Sequence, residues 1–347
     1  MSTRWLRRLG TKRSGFRYAD ENGHVVRDRR SLERIDRLRI PPAWRDVRIA
    51  ASPRSRIQAW GYDARNRKQY RYHERAVETR ELRKYYRMRE LAKSLPTMRE
   101  TLRADAAHRE LTKQTVAATV LRLISESFCR VGGERYAREN GTYGITTLRK
   151  KHVAIKGDCV VLSYLGKSNK KQRQVVVSRE LAKLVARQLD APGTRLFRYR
   201  NADGTWCDLT ARDVNSYVHD RLGPRFSAKD FRTWGGTLRA ATVLAELGAA
   251  SNEREAKRNV AMAMRLVSSE LGNTPTICRK SYVHPIIVAR YIDEGDAIAL
   301  PAARRTAANR GQAHSPEERA LISFLDRHFP ERRRRSRRRD HDERRAA

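Results

Sequence analysis

Five scattered residues, Arg130, Lys167, Arg232, Asn273 and Tyr282, share one chemical use. A tyrosine hydroxyl can attack a phosphodiester and leave an aryl phosphate ester on the protein. Two arginines can neutralise the non-bridging oxygens of the trigonal-bipyramidal transition state, because a guanidinium fork matches phosphate and keeps its charge. The departing oxygen needs a proton, and a lysine whose pKa is lowered by burial and neighbouring positive charge can supply it. An asparagine amide can donate one hydrogen bond to a phosphate oxygen.

Each residue alone has a plainer explanation. Tyr282 is one of 13 tyrosines, and a tyrosine in a helical run is usually half-buried core. An arginine ending a buried helix either complements the helix dipole or is aimed into a cleft. A lysine on a hairpin tip is usually just solvated.

The elements around them decide between these readings. In residues 271–284, LGNTPTICRKSYVH, Thr274 caps and Pro275 opens a short helix. Tyr282 then lies about two turns beyond Asn273, at roughly 3.6 residues per turn, and Pro285 interrupts the helix. Residues 109–130 form the clearest helix, with Val116, Val120, Ile124 and Phe128 at every fourth position and Ala117 and Leu121 alongside. It delivers Arg130, and a second short helix is expected over 134–140, before Gly141. Strands at 152–155, 159–165 and 172–177, joined by turns at 156–158 and 166–171, predict a three-stranded antiparallel sheet with Lys167 at a hairpin tip. Thr210…Asp213 and Ser227…Asp230 resemble capping boxes with Asp in the usual Glu position. The second opens a helix carrying Arg232, and a long helix over about 252–271 leads to Asn273.

The first 80 residues read as short strands and turns, strand-like at 47–49 and 57–60. A polar turn at 63–68 leads into the strand 69–73, QYRYH, whose alternation sets Gln69 and Arg71 on one face and Tyr70 and Tyr72 on the other. Interleaved basic and aromatic residues suit phosphate contact with stacking; an ordinary solvated hairpin is the alternative. A charged helix over 81–94 is expected to break at Leu95-Pro96, since the residue before proline avoids the helical region. This places an interdomain hinge within 75–95, between a β-rich domain at 1–80 and a second domain at 81–328. The remainder, 329–347, includes ERRRRSRRR and should be a disordered basic tail.

Composition agrees with a nucleic-acid partner. The chain has 76 Lys and Arg against 39 Asp and Glu, a net charge of +37 that a polyanion would neutralise. An anionic membrane is the rival, but no stretch approaches the ~20 apolar residues of a membrane span and no signal peptide is read. Cys129, Cys159, Cys207 and Cys278 form no CxxC pair, which points to a reduced, cytoplasmic protein with neither structural zinc nor disulfides.

Six ordered motifs resemble the type IB DNA topoisomerases, in the small poxvirus-like form found in bacteria. They are IPPAWRDV (40–47), GYDARNRKQYRYH (61–73), CRVGGERYARENGTYGITTL (129–148), LSYLGKS (162–168), SAKDFRTWGGT (227–237) and LGNTPTICRKSYVHP (271–285). The resemblance spans roughly 30–295. It implies an α+β chain: a small β-rich N-terminal domain and a mainly helical catalytic domain with a three-stranded antiparallel sheet, closing as a clamp around duplex DNA. It implies Tyr282 as nucleophile, Arg130 and Arg232 on the phosphate, and Lys167 as general acid to the 5′-oxygen. Asn273 falls where many relatives have histidine, which keeps a hydrogen bond but loses a group that titrates near neutral pH. Gln69, Tyr70, Tyr72, Arg135 and Tyr136 match positions that touch DNA. The implied enzyme is a nucleoid-associated monomer that relaxes supercoils through a 3′-phosphotyrosine, without ATP, metal or other cofactor. A tyrosine recombinase uses a similar residue set and is the alternative; the strand-rich first 80 residues argue against it.

Overall fold

Residues 4–300 and 313–329 are described in a computed structural model, and they divide into two compact units with the boundary between Lys84 and Tyr85. Beyond Phe329, the expected basic tail lies outside the described residues. The first unit contains strands β1 (Trp5–Thr11) and β2 (Gly15–Ala19), helix α1 (Arg29–Arg37), and strands β3 (Arg45–Ala50), β4 (Ile57–Tyr62) and β5 (Lys68–Tyr72). The strands form one antiparallel sheet in the order β2-β1-β3-β4-β5. Leu6, Val47, Ile49 and Ala59 pack with Ile35 of α1 into a small core. Alternation sends Tyr70 and Tyr72 to the other face, stacked with ring centroids 5.9 Å apart and each about 40% exposed. The turn before β5 is tied by Asp63, whose carboxylate accepts from the Arg65 and Arg67 N–H groups at 3.0 and 2.9 Å. Hydrogen bonds from the Arg67 side chain and backbone hold its pKa down to about 2.

The helix expected to stop at Leu95-Pro96 does not stop. Helix α2 runs from Glu74 to Ala107 with Pro96 inside, so residues 75–95 are helical throughout. A proline in a helix interior removes the hydrogen bond to the carbonyl four residues back, a cost of about 3 kcal/mol or more. That carbonyl belongs to Ala92, and His314 Nε2 donates to it at 2.6 Å. Leu95 and Met98, on either side of the proline, are each only 3% exposed. A partner from the far end of the chain and flanking burial together retain the turn.

The second unit continues with α3 (Lys113–Ser127), α4 (Glu134–Asn140), strands β6 (Val153–Lys156), β7 (Cys159–Leu165) and β8 (Lys171–Val177), α5 (Arg179–Asp190), the short pair β9 (Arg198–Arg200) and β10 (Trp206–Asp208), and α6 (Ala211–Leu222). It ends with α7 (Ala228–Leu247), α8 (Glu253–Leu271), α9 (Pro275–Tyr282), α10 (Pro285–Glu294) and α11 (Pro316–His328). Strands β6, β7 and β8 make the expected three-stranded antiparallel sheet. The core centres on α3, whose Val116, Val120, Leu121, Leu123 and Ile124 are fully buried. α3 begins at Lys113 because the Thr112 side chain caps it, accepting from the Thr115 N–H at 3.2 Å. Both Asp-containing capping boxes are formed, at Thr210/Asp213 and Ser227/Asp230. The architecture is α+β, with a five-stranded sheet and one helix in the first unit and helices dominating two smaller sheets in the second.

Candidate active site

Helix α3 ends at Phe128, which turns left-handed at φ 52°, and the chain leaves the core carrying Cys129 and Arg130. Helix α7 can lie against this turn because residue 235 is glycine: a Cβ there would sit 2.0 Å from Phe128 Cε1. The next residue, Gly236, faces the segment carrying Tyr282, where a Cβ would meet the Tyr282 carbonyl oxygen at 3.0 Å and its Cβ at 3.1 Å. Two adjacent glycines thus let one helix touch both the arginine-bearing turn and the tyrosine. Gly235→Ala is expected to overpack this contact at a cost of about 1–3 kcal/mol, read as a lower urea midpoint with unchanged slope.

Tyr282 is the last residue of α9, which Thr274 caps and Pro275 opens as the sequence predicts. Its backbone is pinned immediately afterwards. The Thr237 hydroxyl lies 3.1 Å from the Tyr282 carbonyl and accepts from the His284 N–H at 3.1 Å. Tyr85 Oη donates to the Val283 carbonyl at 2.9 Å.

Around the Tyr282 ring, itself only 6% exposed, the structure gathers positive charge. Arg130 donates to Tyr282 Oη at 3.2 Å, and its other terminal nitrogen donates to Asn273 Oδ1. The Arg232 guanidinium lies 5.1 Å from the ring centroid and donates to the Leu271 carbonyl at 2.9 Å. Lys229 Nζ stands 5.9 Å from the same ring. Burial pushes the Tyr282 phenol pKa up, but Arg232, Arg130 and Lys229 outweigh it and leave the phenol below its ordinary value of 10.0. Arg232 is itself 3% exposed, and burial lowers its pKa. Arg232 Nε and Asn273 Nδ2 are buried donors without an acceptor among the described residues. A buried donor left so costs about 1–3 kcal/mol, so the site is built for an acceptor.

Lys167 opens a single helical turn between β7 and β8, where Ser168 and Asn169 take φ of 62° and 56°. Although exposed, it lines one small pocket with Arg130, Arg232, Tyr164 and Gln172. The five residues singled out for chemistry therefore meet at one place in the second unit. Arg135 and Tyr136 lie nearby in sequence on the exposed helix α4, with Arg135 bonded to Glu139 at 2.9 Å. Gln69, Tyr70 and Tyr72 belong to β5 of the first unit, where Gln69 Nε2 donates to Asp63 at 3.0 Å.

Sequence reasoning missed two lysines. Lys170 Nζ donates to the Asn273 carbonyl at 3.2 Å, tying the hairpin to the segment that leads into α9. Nothing in the sequence announces a contact across 103 residues. Lys229 precedes Arg232 by three positions, which on a helix means one face. That spacing was a usable signal. Among the described residues no group of three His, Cys, Asp or Glu side chains could hold a metal ion, and no helix is long and apolar enough to cross a membrane.

Comparison with known proteins extends over both units. The family described as eukaryotic DNA topoisomerase I, catalytic core, matches residues 68–303. The one described as bacterial DNA topoisomerase IB, N-terminal domain, matches residues 15–63. A DNA topoisomerase 1B of Acanthamoeba polyphaga mimivirus is 34% identical over 275 residues, covering 77% of this chain and 81% of that protein. The DNA topoisomerase 1B of vaccinia virus (strain Copenhagen) is 23% identical over 296 residues, covering 81% of this chain and 89% of that protein. A solved XerH site-specific recombinase bound to difH substrate, in a post-cleavage complex, aligns at a TM-score of 0.36 and 16% identity over 56% of this chain and 50% of that one, too distant to carry an argument.

Proposed function

Since the chain belongs to the type IB DNA topoisomerases, in their bacterial and poxvirus-like form, we propose that it relaxes supercoiled duplex DNA through a 3′-phosphotyrosyl intermediate on Tyr282. The Tyr282 oxygen, having lost its proton to solvent, bonds to phosphorus as the bond to the 5′-oxygen breaks. Lys167 gives that oxygen its proton, so a 5′-hydroxyl end is released. Arg130 and Arg232 hold the non-bridging oxygens, and Asn273 donates one amide hydrogen bond. The duplex beyond the nick rotates, and the hydroxyl attacks back. Transesterification keeps the energy of the broken bond in the phosphotyrosine, so the cycle needs no ATP.

One observation carries this reading. A single guanidinium, that of Arg130, is bonded to both the Tyr282 oxygen and Asn273, with Arg232 against the same ring and Lys167 on the same pocket. The buried Arg232 Nε and Asn273 Nδ2 are the donors a phosphate would satisfy. The first unit adds contacts to DNA through Gln69, Tyr70 and Tyr72, and α4 adds Arg135 and Tyr136.

The direct test is relaxation of supercoiled plasmid by the monomeric protein in EDTA. Plasmid left supercoiled would overturn the proposal, and exchange of strands between two duplexes would instead favour a tyrosine recombinase. A pH prediction follows from the lowered phenol. A phenolate is the better nucleophile, so single-turnover cleavage should rise with pH, with a midpoint below the ordinary 10.0. Arg232 is the strongest of the charges that lower it, so Arg232→Gln should move the midpoint to higher pH. An unmoved midpoint would mean that another group sets the profile.

A further inference from the structure

On the first unit, an open groove of about 590 Å³ runs between α1 and the end of β5. Arg30, Arg34 and Arg37 face it from α1, and Arg71, Tyr72 and His73 from β5 and the residue after it. The helical arginines sit at i, i+4 and i+7, so they form one stripe about 10 Å long at 1.5 Å per residue. Part of this lining is rigidly built. Arg34 donates to Gln58 Oε1 and to the Ala50 carbonyl, both at 2.8 Å. Gln58 is 3% exposed and is itself fixed to the Ser55 and Pro53 carbonyls at 2.6 and 3.0 Å. Arg71 donates to the Arg39 carbonyl at 2.8 Å, while its buried Nε has no acceptor among the described residues.

What the groove does not offer these arginines is negative charge. Among the described residues none of the four is ion-paired with a carboxylate, and Glu74 at the rim is the lining's one acidic side chain. By contrast Arg29, one position away and turned off the groove, is paired with Glu33 at 2.9 Å. Asp28 lies close enough to Arg30 to interact with it, but four guanidinium groups without an ion-paired carboxylate around one concavity still repel each other unless an anion enters. The elongated stripe suits successive phosphates better than a single one. We propose that this groove holds the phosphodiester backbone of duplex DNA, continuing past the edge of β5 the contact that Tyr70 and Tyr72 begin. Tyr72 belongs to both surfaces, and it joins them at the end of β5. The proposal rests on the DNA-acting function given above.

The experiment compares neighbouring charge reversals. Affinity for a linear duplex is measured against salt for the parent, Arg30→Glu, Arg37→Glu and Arg29→Glu, each checked for an unchanged thermal melt. Each lost phosphate contact should flatten the slope of log K against log salt by about 0.9. Arg30→Glu and Arg37→Glu should therefore flatten it, while Arg29→Glu, an equal change of charge, should not. Equal flattening by all three would reduce the effect to net charge and overturn the groove. So would calorimetric binding of tripolyphosphate that Arg30→Glu abolishes while its DNA slope stays at the parent's, since the occupant is then a free polyphosphate. Plasmid relaxation by the parent is run alongside. A parent that relaxes plasmid beside variants with unchanged slopes overturns the groove alone, whereas an inactive parent overturns the functional reading.

Discussion

Tyr282→Phe should abolish relaxation entirely while leaving DNA affinity nearly unchanged. Only the hydroxyl is removed: the ring keeps its place beside Arg232, and the Tyr282 backbone and Cβ stay against Gly236. The lost contact is one hydrogen bond from Arg130, which still has Asn273 as a partner. Denatured reaction mixtures should contain protein attached to a 3′ DNA end for the parent and none for the variant. A covalent adduct that persists in Tyr282→Phe, or one carried on a 5′ end, would remove Tyr282 from the role of nucleophile.

The second large effect concerns Lys167, which lines the arginine pocket from an exposed turn. A bare alkoxide is a poor leaving group, so Lys167→Ala should slow cleavage by roughly 10²–10⁴-fold, the usual scale of general acid catalysis. A substrate whose bridging 5′-oxygen is sulfur separates proton donation from simple phosphate contact. A thiolate departs without a proton, so sulfur should restore the rate of Lys167→Ala. It should not fully restore Arg232→Ala, whose missing charge acts on the non-bridging oxygens. Equal defects of Lys167→Ala on the two substrates would leave the lysine as a phosphate contact only.

Where pattern and packing ask for the same thing, the sequence could be read directly. The apolar stripe of α3, the Thr274-Pro275 start of α9, the two capping boxes and the β6-β7-β8 hairpins are all local signals, and each element forms, though α3 keeps only Lys113–Ser127 of the expected 109–130. In the first unit the signal is thinner. β1 buries only Leu6 and α1 only Ile35, each within a run of arginines, so the apolar positions are too few to mark either element. Pro96 was misread for a different reason. The rule that proline ends a helix assumes that the orphaned carbonyl finds no other partner, and here His314 provides one. Lys170 was invisible on the same ground, since its acceptor is a backbone carbonyl brought close by folding.

That repair of α2 has a consequence for how the protein is made. Ala92 waits for His314, Arg99 for Glu318 at 2.6 Å, and Arg89 for Asp326, separations of 222, 219 and 237 residues. Ribosomes add about 5–20 residues per second, so the 222 residues from Ala92 to His314 take roughly 11–44 s to synthesise. During that interval the helix has a proline, an unanswered carbonyl and two arginines without their carboxylates. Such long-range contacts form late in folding. The helical unit can therefore close these contacts only after α11 has been synthesised, so a nascent chain truncated before α11 already contains Tyr282 but not the helix that completes the unit around it.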